Sequence, residues 1–352
     1  MNKKGAYIVV LAMSVILVAL FHKTVFNAGK ISFAGGGDGL KSTFGTIYHL
    51  RHDTAFWQTD AMNYPFGESV FFTGNQVVFT NILKAAQNIT GIELSEKAMG
   101  LSNLWILFSF VLCALFIYLI LIELKLPWWY AVLGGILIAL LSTQWERLSG
   151  HYNLAVAFAF PVPIYILMRF YKRPSLITSI LFGLYMLLIT AKHLYFALII
   201  IALITPFWIH MLVSGLNGRG KWPHALLHLG IQVIIPLLVF LIFSGMHDSA
   251  TDRTAYPWGF YFSRMKLEAV FLPIGLPHGS FLEFSHHSKS TAYVSLLGTV
   301  IFMVIAIRFF ILLFKRKFQE AFLIGESKSF SWIFWGSVIC LLLSFGLPFS
   351  PS

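Results

Sequence analysis

Runs of apolar residues long enough for a transmembrane helix, about 20 residues each, recur along the chain. Short polar segments separate most of them. We expect nine spans, near residues 6–22, 101–122, 127–142, 153–170, 175–191, 194–213, 226–245, 292–314 and 331–348. The pattern predicts an all-α, polytopic transmembrane protein in which residues 1–352 form a single membrane domain.

One junction between spans has no glycine or proline to mark it. The segment from Leu176 to Val213 is apolar apart from Lys192, His193 and His210. A single helix of this length would measure about 57 Å, roughly twice the thickness of the membrane core. The chain must therefore turn near Lys192 and His193, which places both side chains at a membrane interface.

Composition supports membrane insertion, and the basic residues predict the orientation. The chain is 58% hydrophobic and 11% charged, and its mean hydropathy is +0.78. With the N-terminus inside, short inner segments hold 13 of the 25 Lys and Arg residues, in agreement with the positive-inside rule. These are Lys3, Lys4, Lys125, Arg169, Lys172, Arg173, Arg219, Lys221, Arg308, Lys315, Arg316, Lys317 and Lys328. We expect a multi-pass protein of the plasma (inner) membrane with a cytoplasmic N-terminus. The net charge of +11 follows from this topology and does not indicate nucleic-acid binding.

The acidic residues collect on the opposite side. Of the 14 acids, all but Glu123, Glu320 and Glu326 fall in predicted outer segments, and the first is Asp38 in the sequence GGGDGL. Two outer segments are long, 23–100 and 246–291, and loops of such length are usually functional or disordered. This distribution predicts that the protein acts at its outer face.

The first outer segment contains two stretches with apolar residues at helical spacing. Their apolar stripes are Leu40, Phe44, Ile47 and Tyr48 in the first, and Val78, Ile82, Ala86 and Ile89 in the second. Both stretches predict amphipathic helices that lie on the bilayer with the apolar side down.

This arrangement resembles the GT-C class of membrane glycosyltransferases, in an uncharacterised prokaryotic branch. The likeness lies in the topology of residues 1–290 and in the segments GDGL (37–40), NYPFGE (63–68), GHYNLA (150–155) and YPWGFY (256–261). It implies an acidic catalytic base shortly after the first span and a sugar donor carried on polyprenyl phosphate or diphosphate. Two features depart from the class: no Asp-Glu pair follows the first span, and these 352 residues include no outer C-terminal domain, so we expect a chain that is short for the class or incomplete.

Asp38 is the candidate catalytic base. Inverting transfer needs a carboxylate that takes the proton from an acceptor hydroxyl as its oxygen attacks the anomeric carbon. The alternative is a helix N-cap, since Asp before an amphipathic helix is a preferred capping residue. The two roles are compatible.

Asp60 and Glu68 are further candidates in the same outer segment, with Glu68 the stronger as a second catalytic acid. Either carboxylate would suit acceptor binding or, together with Asp38, a divalent cation such as Mg²⁺ or Mn²⁺. The alternative is ordinary loop solvation around the turn-forming residues 64–67. The sequence leaves metal dependence open.

The leaving phosphate of such a donor needs cations or hydrogen-bond donors at the membrane surface. The candidates are Arg147, His151, Lys192, His193 and Arg264. The alternative for each cation is snorkelling from a helix end to lipid headgroups, and Arg147 also has Glu146 beside it as a partner.

The residues and the resemblance together favour transfer of a sugar to a glycan, lipid or protein acceptor at the outer face. A transporter or flippase for a lipid-linked or amphipathic substrate is the second hypothesis, although no internal repeat or midplane charge is evident. A non-catalytic membrane subunit with the same fold is the third.

Overall fold

The computed structural model describes residues 3–214, 222–248, 265, 270–271, 294–324 and 328–345. The helices are α1 (Lys3–Phe21), α2 (Gly37–Arg51), α3 (Val77–Thr90), α4 (Ala98–Glu123), α5 (Trp128–Leu140), α6 (Pro161–Lys172), α7 (Leu176–Lys192), α8 (Leu194–Ser214), α9 (Trp222–Leu229), α10 (Ile235–Met246), α11 (Ser295–Phe314), α12 (Phe318–Phe322) and α13 (Lys328–Ser344). A π turn, Gly230–Ile234, joins α9 to α10. The strands of the described residues are β1 (Gln58–Thr59) and β2 (Glu68–Ser69), which pair antiparallel. The all-α prediction is confirmed.

Five helical segments are long and apolar enough to cross a membrane. They are Ser95–Glu123, Trp128–Ser149, Leu194–Ser214, Trp222–Met246 and Ser295–Phe314. Gly5–Phe21, Leu176–Lys192 and Phe330–Ser344 are apolar but shorter. The chain is therefore an integral membrane protein by the length and composition of its helices, while the expected count of nine spans is not confirmed.

The expected span at 153–170 differs most from the structure. Its first half forms two 3-10 turns, Tyr152–Leu154 and Ala157–Ala159, and α6 begins only at Pro161. Proline lacks an N–H and is favoured in the first helical turn, which explains why the helix begins there. Since α6 has 12 residues, its length is about 18 Å, well short of the membrane core.

The predicted turn within the apolar segment 176–213 is confirmed. Helix α7 ends at Lys192 and α8 begins at Leu194, so His193 is the single residue between them. His193 has an extended backbone, with φ −165° and ψ 125°, which breaks the helical path.

The contacts divide the chain into two units, of which the first comprises Met1–Ile200 and Met211–Thr251. Its core is formed by α1, α4 and α5, with buried side chains such as Val10, Ile106 and Phe110. Helices α4 and α5 pack closely at Gly135, which has no side chain to keep them apart. A Cβ added there would lie 2.7 Å from the Ala114 carbonyl oxygen. Small residues at such contacts let membrane helices approach one another.

This first unit has two opposite ends. At one end, Tyr7 of α1 packs edge-on against Tyr118 of α4, with ring centroids 5.4 Å apart. At the other end, Asn103 of α4 donates to the carbonyls of Ala28 and Ile31, both at 2.8 Å, in the segment after α1. We call these the Glu123 end and the Asp38 end. Helix α4 separates them by about 39 Å, given its 26 residues.

The second unit comprises Ile201–His210 and Asp252–Ser352. Within it, Gly336 of α13 lies directly against the middle of α8. A Cβ built on Gly336 would fall 1.8 Å from the Leu203 carbonyl oxygen. Arg308 of α11 donates to the carbonyls of Glu320 and Leu323, which fixes α12 beside α11.

Both amphipathic helices predicted in the first outer segment are present, as α2 and α3. On α3, Ile82 and Ile89 are exposed, while Thr80, Asn81 and Lys84 on the polar side are buried. The polar side of α3 thus packs into the protein and its apolar stripe faces outward. This arrangement fits a helix whose outward face meets lipid.

Candidate functional site

Two sequence segments that lie more than 100 positions apart meet at the start of α2. A Cβ added at Gly39 would lie 2.5 Å from Ala34 Cβ and 3.2 Å from Gly150 Cα. The hydroxyl of Tyr152 accepts a hydrogen bond from the backbone N–H of Ala34 at 2.9 Å. It also lies 3.1 Å from Ser32 Oγ. Segment 37–40 and segment 150–155 are therefore in direct contact.

Asp38 lies in the first turn of α2. Gly36 is the N-cap residue, so the capping alternative for Asp38 is wrong in its strict form. A carboxylate in the first turn still interacts favourably with the helix dipole. Its side chain is 65% exposed, and Oδ2 lies 3.7 Å from Nδ1 of His151.

His193 stands close to this pair. Burial, followed by the charges of Lys192 and His151, lowers the pKa of His193 to about 4. The ring is therefore neutral near pH 7. Its Nδ1 accepts a hydrogen bond from the backbone N–H of Tyr195 at 3.2 Å, which leaves Nε2 to carry the proton.

Lys192 is buried, with 7% of its surface exposed. Its Nζ donates to Oε1 of Gln76, the residue before α3, at 3.2 Å. Burial lowers the pKa of Lys192 to about 7, so the ammonium and amine forms coexist near neutral pH. A bound anion would favour the ammonium form, and Nζ has a single amide partner, so the group is suited to bind an anion.

Several buried polar side chains lie on the segments around Gln76 and Tyr152, and sequence reasoning missed them. Five buried atoms on these segments have no hydrogen-bond partner among the described residues: Asn75 Nδ2, Asn75 Oδ1, Thr80 Oγ1, Ser102 Oγ and Asn153 Oδ1. A cavity of about 10 Å³, enough for about one water, is lined by Ser42, Thr43, Thr46, Gln76, Met99, Ser102, Asn103 and Tyr152. Such amides and hydroxyls bind hydroxyl groups. The polar run Thr73-Gly74-Asn75-Gln76 was the available signal.

The remaining candidates lie apart from this group. Arg147 is exposed on the 3-10 turn Thr143–Ser149, four residues before His151, whose N–H donates to the Arg147 carbonyl at 2.8 Å. Arg264 lies outside the described residues, as does most of the second outer segment.

Asp60 and Glu68 belong to the β1–β2 hairpin. Glu68 is half-buried and pairs with Thr59, and the N–H of Asp60 donates to Asp53 Oδ1 at 3.1 Å. Asp53 follows the last turn of α2, whereas Asp38 is in the first, which separates the two by about 22 Å along the chain. The hairpin carboxylates are thus linked to the far end of α2.

That far end of α2 carries a second group missed from the sequence. His49 Nδ1 lies 2.7 Å from Asp53 Oδ2, and His49 Nε2 lies 3.1 Å from Asn81 Oδ1. Lys84 donates to the carbonyls of His49, Asp53 and Ala55, at 3.0, 2.7 and 2.9 Å. Burial lowers the pKa of Lys84, and the Asp53 carboxylate acts against that shift. The group joins α3 to the end of α2.

Within the part of the chain that the structure describes, no three His, Cys, Asp or Glu side chains converge as ligands. Asp38, Asp60 and Glu68 therefore do not fit as one metal site.

Comparison with known proteins gives a family over almost the whole chain. Residues 10–347 match the family described as "Domain of unknown function (DUF6311)". The chain belongs to the DUF6311 family. It matches no curated protein and no solved structure. In this DUF6311 protein, the candidate residues that the structure brings together are Asp38, His151, Lys192 and His193.

Proposed function

We propose that this protein transfers a sugar from a polyprenyl-phosphate or polyprenyl-diphosphate carrier to an acceptor at the outer face of the membrane, with inversion. The observation that supports this proposal best is the convergence of Asp38, His151 and His193 beside the buried Nζ of Lys192. A base and an anion-binding cation at one end of a membrane bundle are the two groups that the reaction requires.

In the proposed reaction, Asp38 accepts the proton of the acceptor hydroxyl. The acceptor oxygen forms a bond to the anomeric carbon as the bond from that carbon to the carrier phosphate oxygen breaks. His151, 3.7 Å from Asp38, orients the carboxylate. Lys192 stabilises the negative charge that develops on the departing phosphate. One hydroxyl of the sugar, in the place of about one water, would reach the polar groups that line the small cavity near Gln76.

The proposal includes the finer topology expected from the sequence. The protein would cross the plasma (inner) membrane nine times, with its N-terminus in the cytoplasm and the Asp38 end outside. The donor then arrives through the bilayer, and the acceptor is a glycan, a lipid or a protein. No step is assigned to a divalent cation, because the described carboxylates do not share a site.

Asp38→Asn tests the proposal directly. The protein is reconstituted in liposomes with polyprenyl-phosphate hexose or polyprenyl-diphosphate hexose, and transfer to a candidate acceptor is followed by mass spectrometry. Loss of the general base should lower the rate by about 10²- to 10⁴-fold with donor binding unchanged. Glu96→Gln is the matched control, since Glu96 is an exposed carboxylate of the same outer segment.

Transfer at the wild-type rate by Asp38→Asn would remove Asp38 as the base. If the wild-type protein transfers no sugar but moves a fluorescent lipid-linked sugar across the bilayer, the transporter or flippase hypothesis replaces this one. If it does neither, the protein is a non-catalytic subunit.

A further inference from the structure

The Glu123 end of the first unit carries an open cavity of about 260 Å³. Four charged side chains line it: Glu123, Arg169, Lys172 and Arg173. The cavity is far from Asp38, at the other end of α4, and has no part in the proposed sugar transfer.

The charges around this cavity do not balance. Arg169 Nη1 donates to Glu123 Oε1 at 3.0 Å, and Lys172 Nζ donates to the other oxygen of the same carboxylate. The guanidinium of Arg173 contacts no acid in the described ranges of the chain. Three cations and a single carboxylate thus line the cavity, which gives it a net positive charge.

The sequence places these cations on one surface. Arg169 and Lys172 lie three residues apart in the last turn of α6 and so share a helical face, and Arg173 follows directly as the C-cap residue. Glu123 is the last residue of α4 and is 14% exposed, whereas Arg169 and Lys172 are about half exposed. The carboxylate pairs with both cations, and about half of each cation's side chain remains exposed.

We propose that this cavity binds the phosphate headgroup of an anionic phospholipid of the surrounding bilayer. Guanidinium and ammonium groups together are well matched to a phosphate diester. The position argues for a bilayer lipid, because the cavity lies where the membrane-crossing segment Ser95–Glu123 ends. The exposed side chains of Trp128 and Trp129 begin the next helix, and exposed tryptophans are typical of the headgroup layer.

Native mass spectrometry of the detergent-solubilised protein tests this site with three probes: dioctanoyl phosphatidylglycerol, dioctanoyl phosphatidylcholine and inorganic phosphate. Phosphatidylglycerol should bind more tightly than phosphatidylcholine, and inorganic phosphate should not displace it. Arg173→Gln should weaken phosphatidylglycerol binding about fivefold, since one cation near an anionic lipid contributes about 1 kcal/mol. Arg51→Gln is the control, as Arg51 is an exposed cation at the end of α2.

Glu123→Gln should strengthen phosphatidylglycerol binding, whereas Arg173→Gln should weaken it. A gain in binding cannot come from misfolding, so this variant separates loss of a cation from loss of the fold. Removal of the carboxylate frees Arg169 and Lys172, so phosphatidylglycerol should bind more tightly than to the wild type. Equal binding of the two lipids, an unchanged affinity in Arg173→Gln, or displacement by inorganic phosphate would each overturn the lipid assignment.

Discussion

Gly39 is a residue at which the candidate site leaves no room for a side chain. Its missing Cβ allows the backbone of α2 to lie against Gly150 and the Tyr152 hydroxyl, and through this contact Asp38 reaches His151. The distance between Asp38 and His151 therefore depends on the absence of a side chain at Gly39.

Gly39→Ala should separate the two segments. The new methyl group would lie 2.5 Å from Ala34 Cβ, and overpacking of this kind costs about 1–3 kcal/mol. Thermal unfolding in detergent should show a lower Tm, together with lost sugar transfer. Gly35→Ala is the control because a Cβ there meets nothing within 4 Å. Equal Tm values for the two variants would contradict the close packing at Gly39.

His193 should make folding stability depend on pH. Because burial lowers its pKa to about 4 from 6.5, the folded protein binds a proton less readily than the unfolded chain. The free energy of unfolding is therefore highest above pH 6.5, where His193 is neutral in both states, and it falls as the pH drops from 6.5 towards 4. His193→Gln should flatten the curve of Tm against pH in this window, whereas exposed His52→Gln should leave it unchanged. A wild-type curve that is already flat would show that His193 titrates normally.

At the scale of elements, the sequence predicted the existence of α2, α3 and the turn at His193 correctly. Helical spacing identifies which residues share a face, as it did for Ile82 and Ile89, but it does not say which face packs into the protein. In α3 the polar face is the buried one, since Lys84 and Asn81 find partners on the end of α2. Those partners come from distant positions, so the buried polar groups could not be read from the sequence of α3 alone.

Lys84→Met tests the junction between α2 and α3. The substitution keeps the apolar stem but leaves the carbonyls of His49, Asp53 and Ala55 without their donor. The bond to the His49 carbonyl is buried and the other two are partly buried. A buried group left unpaired costs about 1–3 kcal/mol, so chemical unfolding should show a loss of about that size. Lys41→Met replaces an exposed lysine of α2 and should change stability little. Equal free energies of unfolding for Lys84→Met and Lys41→Met would show that the Lys84 hydrogen bonds do not stabilise the fold.

At the scale of the whole molecule, hydropathy located the membrane helices but overestimated their regularity. The run 153–170 is apolar enough to be taken for a span, yet its first half follows 3-10 turns that bring Tyr152 and Asn153 to the candidate site. An apolar run alone does not distinguish a straight helix from a buried irregular segment. The turns are tolerated because this backbone packs against α4, where the Ala157 N–H donates to Ser109 Oγ.

The two ends of the first unit should lie on opposite sides of the membrane. The test uses a variant whose Cys113 and Cys340 are changed to alanine. A single cysteine then replaces either Arg51, in the first outer segment, or Lys125, two residues after Glu123. Both native positions are exposed, so a membrane-impermeant maleimide can reach either one from its own side. In intact cells Arg51→Cys should react, and Lys125→Cys should react only after permeabilisation. Reaction of both from outside would contradict the separation of the ends by α4. The reversed pattern would place Asp38 in the cytosol, where the proposed transfer at the outer face cannot occur.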